Sequence, residues 1–424
     1  MLSSWGAFWW RNDTGARSSH RLCTQDMKPR LLVVPHIYAE DIAVREIELA
    51  RRLKRFFDVF VLKWRDALHV DASSALWRRV KQVSVATRAA LRSIGSGTAR
   101  DGITLVESPV LQPVLLQRIF GAENALERCT RKNGRTLQTV LRELEITHLL
   151  LANGFFGVER IPGIHTFYDL VDWFPEEQMN VAQVEKTREK QRSIAANTDG
   201  VFAVSELLCE KLLRDCGIAA VPLPNGADIS RLRSVDQGSV RVLRAKLGIE
   251  NKFVIGYIGN HGAFTGVDLA VNAFLAAKAN MPDAALLIVG PAEPWRALLN
   301  GHRRSGVVAT GSVPPEEIAA YFNAIDLGIL AQGISAGTDY AFQIKVVEYT
   351  ACRKCVVSTP LATWKRLAWP NVILAKPTAE AWKDAFVKAR GMEWLPEWER
   401  LAEPYDWATL AERMAGVMLG PGEI

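Results

Sequence analysis

The sequence predicts an α/β protein of two Rossmann-like domains, each a parallel sheet covered by helices on both faces. Short apolar, β-rich runs alternate with helical patterns along almost the whole chain, which is the mark of βαβ units. Its 424 residues exceed one ordinary core and suit two. Near the middle, Val221-Pro222-Leu223-Pro224-Asn225-Gly226-Ala227-Asp228 makes a sharp turn, after which the strand–helix series starts again.

The elements follow in order. Residues 1–26 read as a poorly structured extension, because Met27 lies just before the first convincing strand. The first domain spans 27–225. Its strands are predicted at Leu31–Val34, Asp58–Leu62, Ile103–Val106, Thr147–Leu151, Ile164–Tyr168 and Val201–Val204. Helices are expected at Val44–Phe56 and Glu176–Ala196, and at Glu206–Cys216 between a Ser205 cap and Gly217. The second domain spans 226–404. Its strands are predicted at Phe253–Gly259, Leu286–Gly290, Val307–Thr310, Asp326–Leu330, Val356–Val357 and Val372–Leu374. A Trp- and Pro-bearing crossing from Glu393 to Trp407 leads to a last helix, within 405–424, assigned to the first domain.

Composition removes several classes of function. With 49% hydrophobic and 23% charged residues the chain is ordinary for a globular protein, and no apolar run is long enough to span a bilayer. The apolar patch Trp5–Trp10 has no basic region before it and makes a poor secretory signal, so a cytoplasmic location is expected. Six scattered Cys do not form a disulfide framework, and the lone Cys352-Arg353-Lys354-Cys355 lacks a second ligand pair for zinc. Net charge is +6, and no acidic residue occurs between Asp71 and Asp101. There, residues 76–94 form an amphipathic pattern with Arg78, Lys81, Arg88 and Arg92 opposite an apolar arc. Such a helix suits an anionic membrane surface at the inner face, or simply covers a sheet with its charges in water. No zinc-finger spacing or aromatic RNA-binding signature is present, so nucleic acid is not an expected partner.

The most informative stretch is Phe342-Gln343-Ile344-Lys345-Val346-Val347-Glu348-Tyr349. It follows a strand and a loop holding Gly333, Ser335, Gly337 and Thr338. Lys345 and Glu348, three residues apart, share one helix face. At a helix start after a parallel strand they face the crevice where open α/β sheets bind ligands. The ammonium neutralises a phosphate, the carboxylate accepts from a ribose diol, and the helix dipole adds to the attraction. An isolated pair of this kind is more often a solvated ion pair. The Gly-rich loop Gly259-Asn260-His261-Gly262-Ala263-Phe264-Thr265-Gly266, after the first strand of the same domain, strengthens the phosphate reading through its backbone amides. In the first domain, His165, Asp169 and Asp172 follow a strand. They would orient an acceptor hydroxyl or contact a donor sugar, unless Asp172 caps a helix and His165 bonds within the core.

In these motifs the chain resembles the retaining group-1 glycosyltransferases of the GT-B fold. The likeness covers about residues 28–420 and is specific in the second half. It rests on Gly256-Tyr257-Ile258-Gly259 with Thr265-Gly266, on Pro282-Asp283 with Leu287-Ile288-Val289-Gly290, and on Val307 to Val313. Tyr321 to Asp326, the element Lys345, Glu348, Tyr349 and Ala351, the interdomain Pro224 to Asp228, and Asp406-Trp407 complete it. There are departures. Thr265 stands where the loop Lys is usual and Gln343 where Pro is usual. Arg353 and Cys355 break the family's "A-x-G-x-P", and Tyr340 occupies the earlier position of the widespread Glu pair.

The resemblance implies two sheets facing across a cleft and a last helix that packs back on the first domain. It implies transfer of a hexose-type sugar from a nucleoside-diphosphate sugar to a hydroxyl acceptor, with retention and without a required metal or other cofactor. The expected donor-binding residues are Gly259, Asn260, His261, Gly262, Thr265, Lys345 and Glu348. The expected catalytic residues are Asp172, His165 and Lys345, with Asp169 and Asp172 toward the sugar or acceptor. A saccharide or lipid-linked saccharide would be the acceptor, in polysaccharide or glycolipid synthesis. A nucleotide-sugar 2-epimerase, a non-catalytic glycosyltransferase-like subunit and a membrane-surface interaction protein stay open at this stage.

Overall fold

The structure, a computed structural model, describes residues 28–35, 45–66, 98–110, 122–152, 160–173, 179–262 and 265–420. The basic pattern at 76–94, the extension 1–26 and the loop positions 263–264 lie outside the described residues.

The first sheet contains β1 (Arg30–Val34), β2 (Asp58–Asp66), β3 (Thr98–Arg100), β4 (Ile103–Val110), β5 (His148–Leu151), β6 (His165–Leu170), β7 (Gly200–Ala203) and β8 (Val221–Pro222). Their order is β3-β4-β2-β1-β5-β6-β7-β8. Every neighbour pairs in parallel except β3 with β4. β1 and β5 are buried along nearly their whole length, as expected for central strands covered on both faces. The two-residue β8, unforeseen in the sequence, closes the sheet beside the interdomain turn.

In the second domain are β9 (Phe253–Ile258), β10 (Ala284–Val289), β11 (Val307–Gly311), β12 (Leu327–Leu330), β13 (Cys355–Ser358) and β14 (Val372–Leu374). All pairs are parallel, in the order β11-β10-β9-β12-β13-β14. In sequence terms the order is 3-2-1-4-5-6, so the direction of winding reverses between β9 and β12. A doubly wound sheet leaves its ligand crevice there, beyond the carboxyl ends of those two strands.

Two chain segments cross between the domains and touch. Ala227 forms a parallel bridge with Asp406. After it, the closing helix Trp407–Leu419, capped by the Asp406 carboxylate on the Ala408 N–H, turns back to the first domain. Its face of Trp407, Leu410, Ala411, Met414, Ala415 and Met418 is buried in one core with Ile47, Leu49, Ala50 and Leu53 of the helix Arg45–Leu53. The first domain's core is therefore completed by the end of the chain.

The carboxyl ends of the two sheets face each other. Ser205, two residues past β7, donates its hydroxyl to the Tyr340 carbonyl at 2.6 Å. Arg366, on the helix Ala362–Leu367 after β13, reaches Glu206 at 3.1 Å and Glu210 at 2.7 Å. Lys211 is buried between the rings of Trp173 and Tyr340, its ammonium 5.1 Å from each centroid. Beside these contacts a cavity of about 520 Å³ opens between the domains, lined by Pro224, Phe342, Arg366, Tyr405 and Arg413 among others. None of the described helices is long and apolar enough to cross a membrane.

Candidate donor site

The helix Ile344–Ala351 follows β12 and begins at the crevice between β9 and β12. Its N-cap, Gln343, makes no side-chain capping bond, and of the first-turn amides that of Val346 donates to the Gln343 carbonyl at 3.4 Å. The preceding segment, expected as loop, contains a short helix, Ala336–Tyr340, held by a reciprocal capping box between Ser335 and Thr338. Five residues are too few to show a helical period in sequence. The Gln343 amide donates to the Thr338 carbonyl at 2.7 Å and ties that short helix to the longer one.

Lys345 and Glu348 come together as expected. The ammonium donates to Glu348 Oε2 at 2.7 Å, and the two side chains keep 28% and 19% exposure. Both therefore remain within reach of a ligand. The Lys345 stem lies against the Gly259 loop, its Cε 3.1 Å from where a Cβ on Gly259 would stand. Its ammonium lies 5.2 Å from the Phe322 ring centre. Beneath the pair, Tyr349 is fully buried, and its hydroxyl accepts from the Ile258 N–H at 3.0 Å. This bond locks the helix to the carboxyl end of β9, and sequence reading used Tyr349 only as a motif letter.

The loop after β9 is shaped by close packing. Gly259 has φ +147 and Gly290, just past β10, has φ +141, a region that side-chain-bearing residues rarely enter. A Cβ on Gly290 would stand 1.8 Å from the Gly259 carbonyl oxygen. The pattern predicts Gly290 only as a strand end, and the need for its missing side chain is visible only in three dimensions. Asn260 is exposed at the crevice. Gly262 turns the loop, its carbonyl accepting from the Thr265 hydroxyl at 2.7 Å.

Two expected donor contacts take other roles. Thr265 is buried and its hydroxyl is engaged by Gly262, so it shapes the loop in place of gripping a phosphate. His261 is 1% exposed, its Nε2 donating to the Val289 carbonyl at 3.1 Å, and the His261 carbonyl accepts from the Trp295 indole at 2.9 Å. Burial, aided by the Lys345 charge, pushes its pKa down to about 4, so the ring is neutral near pH 7. It acts as a wedge between β9 and β10 and supplies no cation.

The first domain corrects two further expectations. His165 is the first residue of β6 and sits at the amino end of the sheet, beside His148 with ring centroids 5.1 Å apart. Five residue steps separate it from the carboxyl end, roughly 16 Å along the strand. It is thus on the wrong side of the sheet for catalysis in the cleft. Asp169 lies inside β6, which runs two residues beyond its predicted end, and is 0% exposed. Arg45 grips it with Nε at 2.9 Å from Oδ2 and Nη2 at 3.1 Å from Oδ1. A buried carboxylate with both oxygens so held has no sugar contact to make. Asp172, two residues past β6, is exposed at the carboxyl end. The following helix, Val181–Ala196, is capped by Asn180, so Asp172 is not its cap.

Among the described residues no cluster of His, Cys, Asp or Glu could hold a metal ion. Cys352 and Cys355 are both buried, and burial pushes their thiols up to about 12 and about 11, unsuited to thiolate chemistry.

Residues 252–389, the core of the second domain, match the family model described as Glycosyl transferases group 1. No curated protein matches the chain in sequence. Similar solved structures include a glycosyltransferase from Rickettsia africae ESF-5, at 14% identity over 94% of this chain and 100% of that one, TM-score 0.65. Anabaena Alr3699/HepE in complex with UDP is 15% identical over 92% of this chain and 99% of that one, TM-score 0.62. A UDP-forming trehalose-phosphate synthase from Burkholderia xenovorans is 12% identical over 92% and 99%, TM-score 0.66.

Proposed function

We propose that this chain, a GT-B glycosyltransferase whose second domain is a group 1 glycosyltransferase domain, moves a hexose-type sugar from a nucleoside-diphosphate sugar to a hydroxyl acceptor with retention of configuration. The observation that carries the reading is the Lys345–Glu348 pair. It is partly exposed, seated on the Gly259 loop and placed at the start of a helix where the sheet's winding reverses.

Breaking the anomeric bond leaves positive charge on the sugar and negative charge on the departing diphosphate. Lys345, the loop amides of Asn260 to Gly262 and the positive end of the Ile344–Ala351 helix dipole stabilise that leaving group; donors aimed in this way are commonly the largest electrostatic contribution to catalysis. In the free protein the ammonium and carboxylate satisfy each other. Donor binding exchanges those partners, the diphosphate taking Lys345 and the ribose diol taking Glu348. Asp172 is the remaining first-domain group proposed to meet the sugar or acceptor. No metal enters this scheme. Closure of the first domain over the donor excludes water and limits hydrolysis.

A UDP complex among the similar structures supports a nucleotide ligand, and another of them, a glycosyltransferase involved in lipopolysaccharide biosynthesis, supports a saccharide or lipid-linked saccharide acceptor. Cytoplasmic work at the inner membrane face, in polysaccharide or glycolipid synthesis, completes the proposal.

A thermal-shift screen of UDP-, GDP- and ADP-sugars tests it. One nucleotide sugar should raise the wild-type midpoint, and Lys345→Ala and Glu348→Ala should lose most of that rise. A shift retained in both variants would remove the donor site from this place. Mass spectrometry of products then separates transfer from epimerisation, which would release nucleotide with no sugar-bearing acceptor.

A further inference from the structure

The start of the Lys345 helix is held from outside its own domain. Arg45, 5% exposed in the first domain, uses all five of its N–H donors. Two go to Asp169. Two more reach the carbonyls of Leu223 and Pro224, each at 2.6 Å, and the fifth reaches Asn225 Oδ1 at 3.3 Å. Asn225 then donates Nδ2 to the carbonyl of Phe342 at 3.0 Å. The orientation of this amide is fixed by its partners. Arg45 can only donate and the Phe342 carbonyl can only accept, so oxygen must face one and nitrogen the other.

Phe342 immediately precedes Gln343, the N-cap, and lies three residues before Lys345. Its ring stacks on Tyr405 of the second crossing at 5.0 Å. Two residues earlier, the Tyr340 carbonyl is held by Ser205. The carbonyls of Tyr340, which ends the short helix, and of Phe342, just before the N-cap, are thus gripped by the first domain and the interdomain turn, while the far end of the helix is locked to β9 through Tyr349.

We propose that Asn225 is a positioning residue for the donor: it transmits the placement of the Arg45–Asp169 pair to the first turn of the Lys345 helix. The first domain thereby sets the pose of a nucleotide site that belongs wholly to the second. This rests on the donor-site reading above. It assigns the Asn of the interdomain turn a function in substrate affinity, beyond making the turn.

The test compares Asn225→Asp with Asn225→Ala. A carboxylate at 225 keeps the partner of Arg45 but offers only acceptors to the Phe342 carbonyl. Loss of one neutral hydrogen bond corresponds to a few-fold to about tenfold in an equilibrium. Calorimetry with UDP, GDP and ADP first identifies the nucleotide that wild type binds. Asn225→Asp is expected to bind it about five- to tenfold more weakly, to raise the donor KM by a similar factor with kcat little changed, and to melt within about 2 °C of wild type. Asn225→Ala should show the same loss of affinity and a lower melting temperature. Should the aspartate variant not fold, Asn225→Ser, too short to span the gap, takes its place. A melting temperature that falls while affinity stays at the wild-type level would overturn the inference and leave a purely structural turn; so would wild-type behaviour in both. If wild type binds none of the three nucleotides, the donor-site reading itself fails.

Discussion

The two domains put similar polar groups at the carboxyl ends of similar sheets, and use them in opposite ways. In the second domain, Lys345 and Glu348 form a pair that keeps part of its surface in water. In the first, Arg45 and Asp169 form a pair that is 4% and 0% exposed and has no donor or carboxylate oxygen left over. The first kind of pair can exchange partners with a ligand at little desolvation cost. The second cannot, because removing either member leaves a charge in a place water does not reach. Exposure, more than residue type, separates the pair proposed to bind the donor from the structural one.

The sharpest way to break this contrast is to delete one member of each pair. Asp169→Ala should lower unfolding free energy by about 3–5 kcal/mol, read by chemical denaturation. A loss under about 1 kcal/mol would mean that Arg45 is not truly buried and unpaired in the variant. Lys345→Ala should leave stability nearly unchanged and lower kcat/KM by about 10²–10³, the usual scale for one aimed donor at a leaving group. If that variant melts far below wild type with activity per folded molecule intact, the two pairs are alike and the distinction falls.

Acid sharpens it further. Among the described residues, each domain carries one buried histidine, His148 at the amino end of the first sheet and His261 at the carboxyl end of the second. Burial first, then the neighbouring charges of His165 and Lys345 respectively, lower both pKa values from 6.5 to about 4. Between those values the unfolded chain binds protons that the folded one does not. Stability is therefore full above pH 6.5 and falls as the pH drops toward 4, by on the order of 3 kcal/mol per histidine. Denaturation at stepped pH should show His148→Asn flattening about half of that fall. Saturating nucleotide should alter only the share belonging to His261, since a diphosphate beside Lys345 offsets the charge acting on it.

The second domain was far more legible in sequence than the first. Lys345, Glu348, the Gly259 loop and the strand between them are local patterns, each readable within a dozen residues. The role of Asp169 is not legible locally, because its partner stands 124 positions away. Nothing in His165-Thr166-Phe167-Tyr168-Asp169 shows that an arginine from another helix already occupies the carboxylate. The apolar pattern ends at Tyr168, which predicts Asp169 at the mouth, whereas β6 runs to Leu170. For His165 the error was one of direction: a parallel strand has a catalytic end and a back end, and its first residue is at the back. The sequence places Thr265 and His261 in the loop but does not show their burial, which is a property of the packed loop and not of the letters.

The closing helix Trp407–Leu419 has a consequence for how the molecule comes into being. Its apolar face covers the helix Arg45–Leu53, more than 350 residues earlier in a chain of 424. A ribosome releases those early residues long before the last helix exists. Throughout synthesis of the second domain, Ile47, Leu49 and their neighbours lack their final cover. The nascent first half should thus be a natural client for chaperones, and losing the last two dozen residues would harm the amino-terminal half more than the domain next to the cut.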